Sequence, residues 1–170
     1  MHFQTNGGKC YQILNKLFLS RSVEVPNVSV RGTIGASIEQ VYELLTSYGS
    51  QERMKVFPGI LEQKFTVQDE NSGEVITRFK PPAEIEDTRR YKLDFLKTIK
   101  EEILESPILK GSFTYKLKEV KNGTELTYQQ NLRIKGMKIG VLQHYKVSSF
   151  LEKAGKECID NIKAYFEITE

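Results

Sequence analysis

Four polar residues sit in phase with apolar neighbours on alternating segments. Glu101 lies between Ile99 and Ile103, Gln130 between Tyr128 and Leu132, Thr77 between Val75 and Phe79, and Gln63 between Leu61 and Phe65. Residues two apart on a strand share a face, so each polar group points where its apolar neighbours point. Burial in an apolar interior raises a carboxyl pKa, which is how a general base or a neutral donor is made near neutral pH. Glu101 facing inward is therefore the first catalytic candidate. The alternative is a twisted, bulged or helical segment on which Glu101 meets water. Tyr115 and Tyr128 can each offer a phenol to a ligand oxygen while burying a ring.

His144 is the second catalytic candidate. It stands between Gln143 and Tyr145 near the start of the last helical pattern. Imidazole is the usual proton carrier near pH 7, but no Asp, Ser or Cys stands at a fixed spacing from it, and a solvent-exposed histidine is the alternative. The chain has two His and two Cys in 170 residues. His2, Cys10, His144 and Cys158 are too scattered for a ligand pattern, so no metal site and no disulfide scaffold is expected. Neither Gly-x-Gly-x-x-Gly nor a phosphate-loop motif occurs, and no cofactor is expected. A net charge of +3, from 25 Lys and Arg against 22 Asp and Glu, is too small to imply a nucleic-acid partner.

The elements that must position these residues are legible in the patterning. Residues 1–22 read as an N-terminal extension. Ile13, Leu14, Leu17 and Phe18 fall at helical spacing, as an arm packed on the domain or a docking helix. Asn15 and Lys16 break its apolar stretch, so it does not read as a signal peptide, and a cytoplasmic setting is expected. Residues 23–170 read as one domain. Val23 to Val30 form a strand, made ragged or placed at an edge by Pro26. Ser37 and Gln40 make a capping box for a helix whose stripe is Ile38, Val41, Tyr42 and Leu45. Residues 51–56 suit a second short helix.

Further strands are expected over Ile60–Gln68, Glu74–Lys80, Arg89–Leu96, Ser112–Val120 and Thr124–Ile134. Lys121-Asn122-Gly123 is a hairpin turn in which Asn-Gly accepts positive φ twice. Ile99–Glu105 suits strand or helix equally. A long helical pattern runs from about Val141 to Phe166, with Gly155 inside it. A Gly there costs about 1 kcal/mol against Ala, which close packing against a sheet or a ligand would explain.

This order resembles the START-like (SRPBCC, helix-grip) superfamily, in its polyketide cyclase and dehydratase-like branch. Gly35-Ala36-Ser37-Ile38-Glu39-Gln40-Val41-Tyr42-Glu43-Leu44-Leu45 resembles its first strand-to-helix junction. Phe57-Pro58-Gly59-Ile60 resembles the start of its second strand. Gly111-Ser112-Phe113-Thr114-Tyr115 and Asn122-Gly123-Thr124-Glu125-Leu126-Thr127-Tyr128 resemble its penultimate hairpin. The resemblance implies an α+β fold: a curved antiparallel seven-stranded sheet wrapped around a long C-terminal helix, with two short helices after the first strand. It assigns Ile99–Glu105 to a strand. Phe79-Lys80-Pro81-Pro82 stands where the plant-allergen branch has a glycine-rich loop, and the iron–sulfur branch's Cys₂His pattern is absent.

The resemblance further implies a cavity between sheet and helix that holds a small hydrophobic ligand, lipid-like, polyketide-like or aromatic. Alternation names its lining: Phe65, Val67, Thr77, Phe79, Leu93, Phe95, Phe113, Tyr115, Leu117, Leu126, Tyr128, Gln130 and Leu132 from strands, and Leu151, Ala154, Cys158 and Ile162 from the helix. Plain core uses the same residue types. Two other readings stand beside the carrier. One is a cyclase or dehydratase using Glu101, Gln130, Tyr128 or His144. The other is a membrane- or protein-contacting module using the basic C-terminal helix, where residues 133–156 carry Arg133, Lys135, Lys138, Lys146, Lys153 and Lys156 against Glu152.

Overall fold

The computed structural model describes residues 23–24, 27–81, 83–135 and 141–169. The expected N-terminal extension, His2, Cys10, Pro26, Lys138 and the side chain of His144 lie outside the described residues.

The first strand comes in two pieces, β1 (Val23–Glu24) and β2 (Val28–Ile34), both paired antiparallel to β8 (Gly123–Ile134). Two short helices follow. In α1 (Ile38–Thr46) the Ser37 hydroxyl accepts from the Gln40 amide, and the Gln40 side chain accepts from the Ser37 amide, the reciprocal box the sequence predicts. In α2 (Gln51–Val56) the Ser50 hydroxyl accepts from the Arg53 amide. Then come β3 (Ile60–Asp69), β4 (Ser72–Phe79), β5 (Glu86–Asp94), β6 (Thr98–Glu105) and β7 (Leu109–Val120). They pair in the order β8-β7-β6-β5-β4-β3, every pairing antiparallel. Ile99–Glu105 is a strand. The β7–β8 turn closes on Lys121 and Asn122, and Gly123 alone in it has positive φ, at 122°, so one residue rather than two adopts that conformation.

The 29-residue α3 (Val141–Thr169) lies on β2 and β8. A Cβ added at Gly155 would stand 2.8 Å from Val30 Cγ2 and 3.1 Å from Gln130 Nε2, so the glycine lets helix and sheet approach closely. Gln130 donates through Nε2 to the Leu151 carbonyl at 2.9 Å, fixing the same contact. The main core lies here, with Val30, Ile34, Leu126, Leu132, Ile159 and Ile162 buried. A smaller cluster of Tyr48, Val75 and Tyr91, with Leu93 against it, sits over β4 and β5.

Three expected lining residues are not enclosed. Phe95 is 67% exposed. β5 ends at Asp94, so Phe95 falls in the turn to β6, edge-on to Tyr42 with ring centroids 5.4 Å apart. Phe65 is 52% exposed and Val67 62%. Both keep the inner phase of Gln63, but β3 is the edge strand, paired only to β4.

Candidate functional site

The in-phase polar residues of the sequence do face inward, and register aligns them into a belt across the sheet. Gln63 stands opposite Thr77, and Thr77 opposite Asp87. Tyr91 stands opposite Glu101, Glu101 opposite Phe113, and Phe113 opposite Gln130. Arg89, which lies between Asp87 and Tyr91 on β5, links the two rows through its ion pairs with Asp87 and Glu101. Gln63, Thr77, Asp87, Glu101 and Gln130 are all buried. Gln63 Nε2 donates to Thr77 Oγ1 at 3.1 Å.

At the centre, Glu101 is 1% exposed and is gripped from three sides. Tyr48 Oη donates to Glu101 Oε1 at 2.9 Å, and Arg53 Nη2 donates to the same oxygen at 2.8 Å. Arg89 Nη1 donates to Oε2 at 2.8 Å. Arg89 also forks onto Asp87, with Nη2 to Oδ2 at 2.8 Å and Nε to Oδ1 at 3.1 Å. Arg53 Nη1 donates to the Leu45 carbonyl, and its Nε has no partner among the described residues. Aromatic rings flank both guanidiniums. Arg53 lies 4.3 Å from the Tyr48 centroid and 4.8 Å from Phe57, and Arg89 lies 4.6 Å from Phe113 and 5.7 Å from Phe79.

Two guanidiniums and two carboxylates make this cluster formally neutral. Burying an ion costs several kcal/mol, and good geometry must repay it. The arrangement also sets the protonation states. Burial pushes Glu101 up, but Arg53 and Arg89 outweigh it and hold the carboxyl below its ordinary value. The expected rise at Glu101 is therefore reversed, because its environment supplies two cations rather than an apolar wall. Asp87 goes the other way: burial lifts it, its single partner Arg89 only partly offsets that, and the neighbouring Glu101 charge adds to the rise. Asp87 is thus the carboxyl that takes a proton first. Burial raises Tyr48, Tyr115 and Tyr128, so all three stay neutral phenols.

Arg89 is the member that reaches outward, at 12% side-chain exposure against 1–2% for Arg53, Glu101 and Asp87. A guanidinium has five N–H groups. Arg89 uses Nε, one hydrogen of Nη1 and one of Nη2 on its two carboxylates. One donor on each terminal nitrogen has no partner among the described residues. Phe79, beside it, also lines a surface depression of about 380 Å³ with Leu61, Pro81 and Ile85 and the charged Arg78, Glu84 and Glu86.

Phe113, Tyr115 and Tyr128 are buried and stacked, with centroids 4.7 Å apart for Tyr115 and Tyr128 and 6.2 Å for Phe113 and Tyr128. Cys158 is buried, and its thiol is pushed up to about 12. Phe79, Leu93 and Leu151 are half-buried. His144 is in the first turns of α3, as expected, and its side chain lies outside the described residues. The sequence reading missed Tyr48, Arg53, Asp87 and Arg89. Asp87 and Arg89 share the phase of Tyr91 and Leu93, and that signal was available. Arg53 sits on a six-residue helix, too short for periodicity to orient it.

No family model matches the chain, and no curated protein matches it. Solved structures do. An aromatase/cyclase from a Streptomyces species, Zhui, is 16% identical, with 85% of this chain covering 91% of that one at a TM-score of 0.62. The di-domain aromatase/cyclase StfQ of the steffimycin biosynthetic pathway is 14% identical at a TM-score of 0.71, with 86% of this chain matching 52% of that one. The chain has the START-like, helix-grip fold. A START superfamily protein from Mycobacterium smegmatis, 10% identical, matches 85% of this chain over 99% of its own length at a TM-score of 0.68. At these identities the likeness concerns the START-like fold alone. Among the described residues, no helix is long and apolar enough to cross a membrane.

Proposed function

We propose that this START-like domain binds a small hydrophobic ligand on the inner face of β3–β6, with Arg89 as its polar anchor. One observation carries the reading: Arg89 combines donors without a partner among the described residues, flanking Phe79 and Phe113 rings, and a fixed orientation imposed by Asp87 and Glu101. Ligand sites are mostly apolar with a few fixed polar groups, and this half of the sheet supplies both. Because the cluster is already charge-balanced, a neutral acceptor such as a ketone oxygen suits Arg89 better than a carboxylate. A ligand carboxylate would add an uncompensated buried charge. Half-exposed Phe65, Phe79 and Leu93 serve as apolar walls. Native mass spectrometry of freshly purified protein tests the reading. A co-purifying apolar molecule carrying carbonyl or hydroxyl oxygen is expected, and an acidic lipid or fatty acid as the bound species contradicts it.

A second reading follows from the aromatase/cyclase neighbours: the same anchor polarises a carbonyl of a polyketide-like substrate for cyclisation or dehydration. In that case Glu101 acts as a positioning residue for Arg89, since its oxygens already accept three hydrogen bonds. Tyr115 or Tyr128 would then be the neutral donor. Turnover of an aromatisable poly-ketone probe, monitored by its ultraviolet absorbance, separates the enzyme from the carrier.

A further inference from the structure

The outer face of the sheet carries a feature independent of the ligand reading. Lys92 on β5 stands directly opposite Lys100 on β6. Lys116 on β7 lies diagonally beyond, since Lys100 faces Thr114 and Thr98 faces Lys116. The buried Tyr91, Glu101 and Tyr115 precede these lysines or follow them, so all three ammonium groups point away from the core. Directly opposed residues have Cβ atoms about 5 Å apart, and like charges there destabilise a sheet.

Several other cations of this face have acidic partners, while Lys118, two residues beyond Lys116, stands opposite Glu125. Lys64 and Arg78 meet Glu62, Arg90 meets Glu74, and Arg31 meets Glu125. Lys92, Lys100 and Lys116 form no salt bridge among the described residues, and Lys92 has only a longer-range attraction to Asp69, whose carboxyl is held low by the Ser72 and Asn71 hydrogen bonds and, after them, by Lys92. The expected basic helix differs. On α3, Lys153 meets Glu157, Lys156 meets Glu152 and Lys163 meets Asp160, so these three charges are compensated locally, and Lys146 near the start of the helix has no salt bridge among the described residues. On the sheet, by contrast, three neighbouring lysines stand together without a salt bridge among the described residues.

We propose that Lys92, Lys100 and Lys116 form a docking surface for an acidic protein, whose carboxylates complete the missing ion pairs. The intervening Thr98, Thr114 and Gln129 are uncharged and non-aromatic. They offer no ring to stack a nucleic-acid base and no apolar side chain to enter a bilayer. A net charge of +3 also gives little attraction for a duplex.

The test measures fluorescence anisotropy of a labelled oligo-glutamate peptide, with a short DNA duplex and phosphatidylserine vesicles as competing probes. The peptide should bind, and added salt should weaken it. Charge reversal in K92E/K100E/K116E should weaken it roughly tenfold, as three exposed pairs would contribute together, while K153Q/K156Q on α3 leaves it unchanged. Independently, K100E should raise the thermal midpoint, because a like pair becomes an opposite pair. Equal affinity of the triple variant and the original chain overturns the proposal. So does tighter binding of duplex or vesicle than of peptide, or a K100E midpoint below that of the unaltered chain.

Discussion

The inner face of this sheet is built in two ways. Where α3 lies on β2 and β8, the contact is apolar and close, with Gly155 against Val30 and a single side-chain amide, Gln130, tied to the helix backbone. Over β4, β5 and β6 the contact is ionic: α2 sends Arg53 onto Glu101, and the sheet adds Arg89 and Asp87. An apolar filling of the same volume would hold the second half at least as well, because buried ion pairs seldom add net stability. The difference teaches where to look for function. The half that only needs to hold together uses packing, and the half that presents a fixed guanidinium tolerates expensive ions.

The largest break in that comparison comes from the ionic half. Glu101→Gln leaves Arg53 and Arg89 buried with too few acceptors and should cost about 3–5 kcal/mol of unfolding free energy, measured by urea denaturation. In the apolar half, Gly155→Val forces a side chain into Val30 and should cost about 2 kcal/mol, read as a lowered thermal midpoint.

The pH response sharpens the contrast within the ionic half. Glu101 sits below its ordinary 4.5 when folded, so the unfolded chain takes its proton more readily. Its stabilisation is present above 4.5 and is lost as pH falls through the lower folded value. Asp87 sits above its ordinary 3.8, so its contribution has the opposite sign and is lost as pH rises through the raised value. Asp87→Asn removes the second effect and, by taking a negative charge away from Glu101, does not weaken the first. The loss of stability between about pH 5 and pH 3 should therefore be steeper in that variant, measured as the slope of unfolding free energy with pH. The smallest effect is chemical. With its thiol pushed up to about 12, Cys158 in a Cys10→Ser background should stay unalkylated at about pH 8 until the protein is unfolded, as mass spectrometry would show.

The sequence carried the element order, the capping box and the inward phase of Gln63, Thr77, Glu101 and Gln130, because each depends on local spacing. It could not carry the sign of the Glu101 shift. That depends on Arg53, 48 residues away, and on Tyr48, 53 away. Phe65 and Phe95 have the right neighbours for an inner face, but their exposure depends on β3 being the edge strand and on where β5 turns. Arg89 was readable as an inward cation from its phase with Tyr91. A guanidinium held between aromatic rings by two carboxylates needs four elements brought together, and no stretch of chain records that.

The most direct test compares two probes of one shape, 2-acetonaphthone and 2-naphthoate, by calorimetric titration of the full chain and of Arg89→Lys. The account predicts that the neutral ketone binds more tightly than the anion and that Arg89→Lys removes this preference. Tighter binding of 2-naphthoate, or a ketone affinity unchanged in Arg89→Lys, would contradict it.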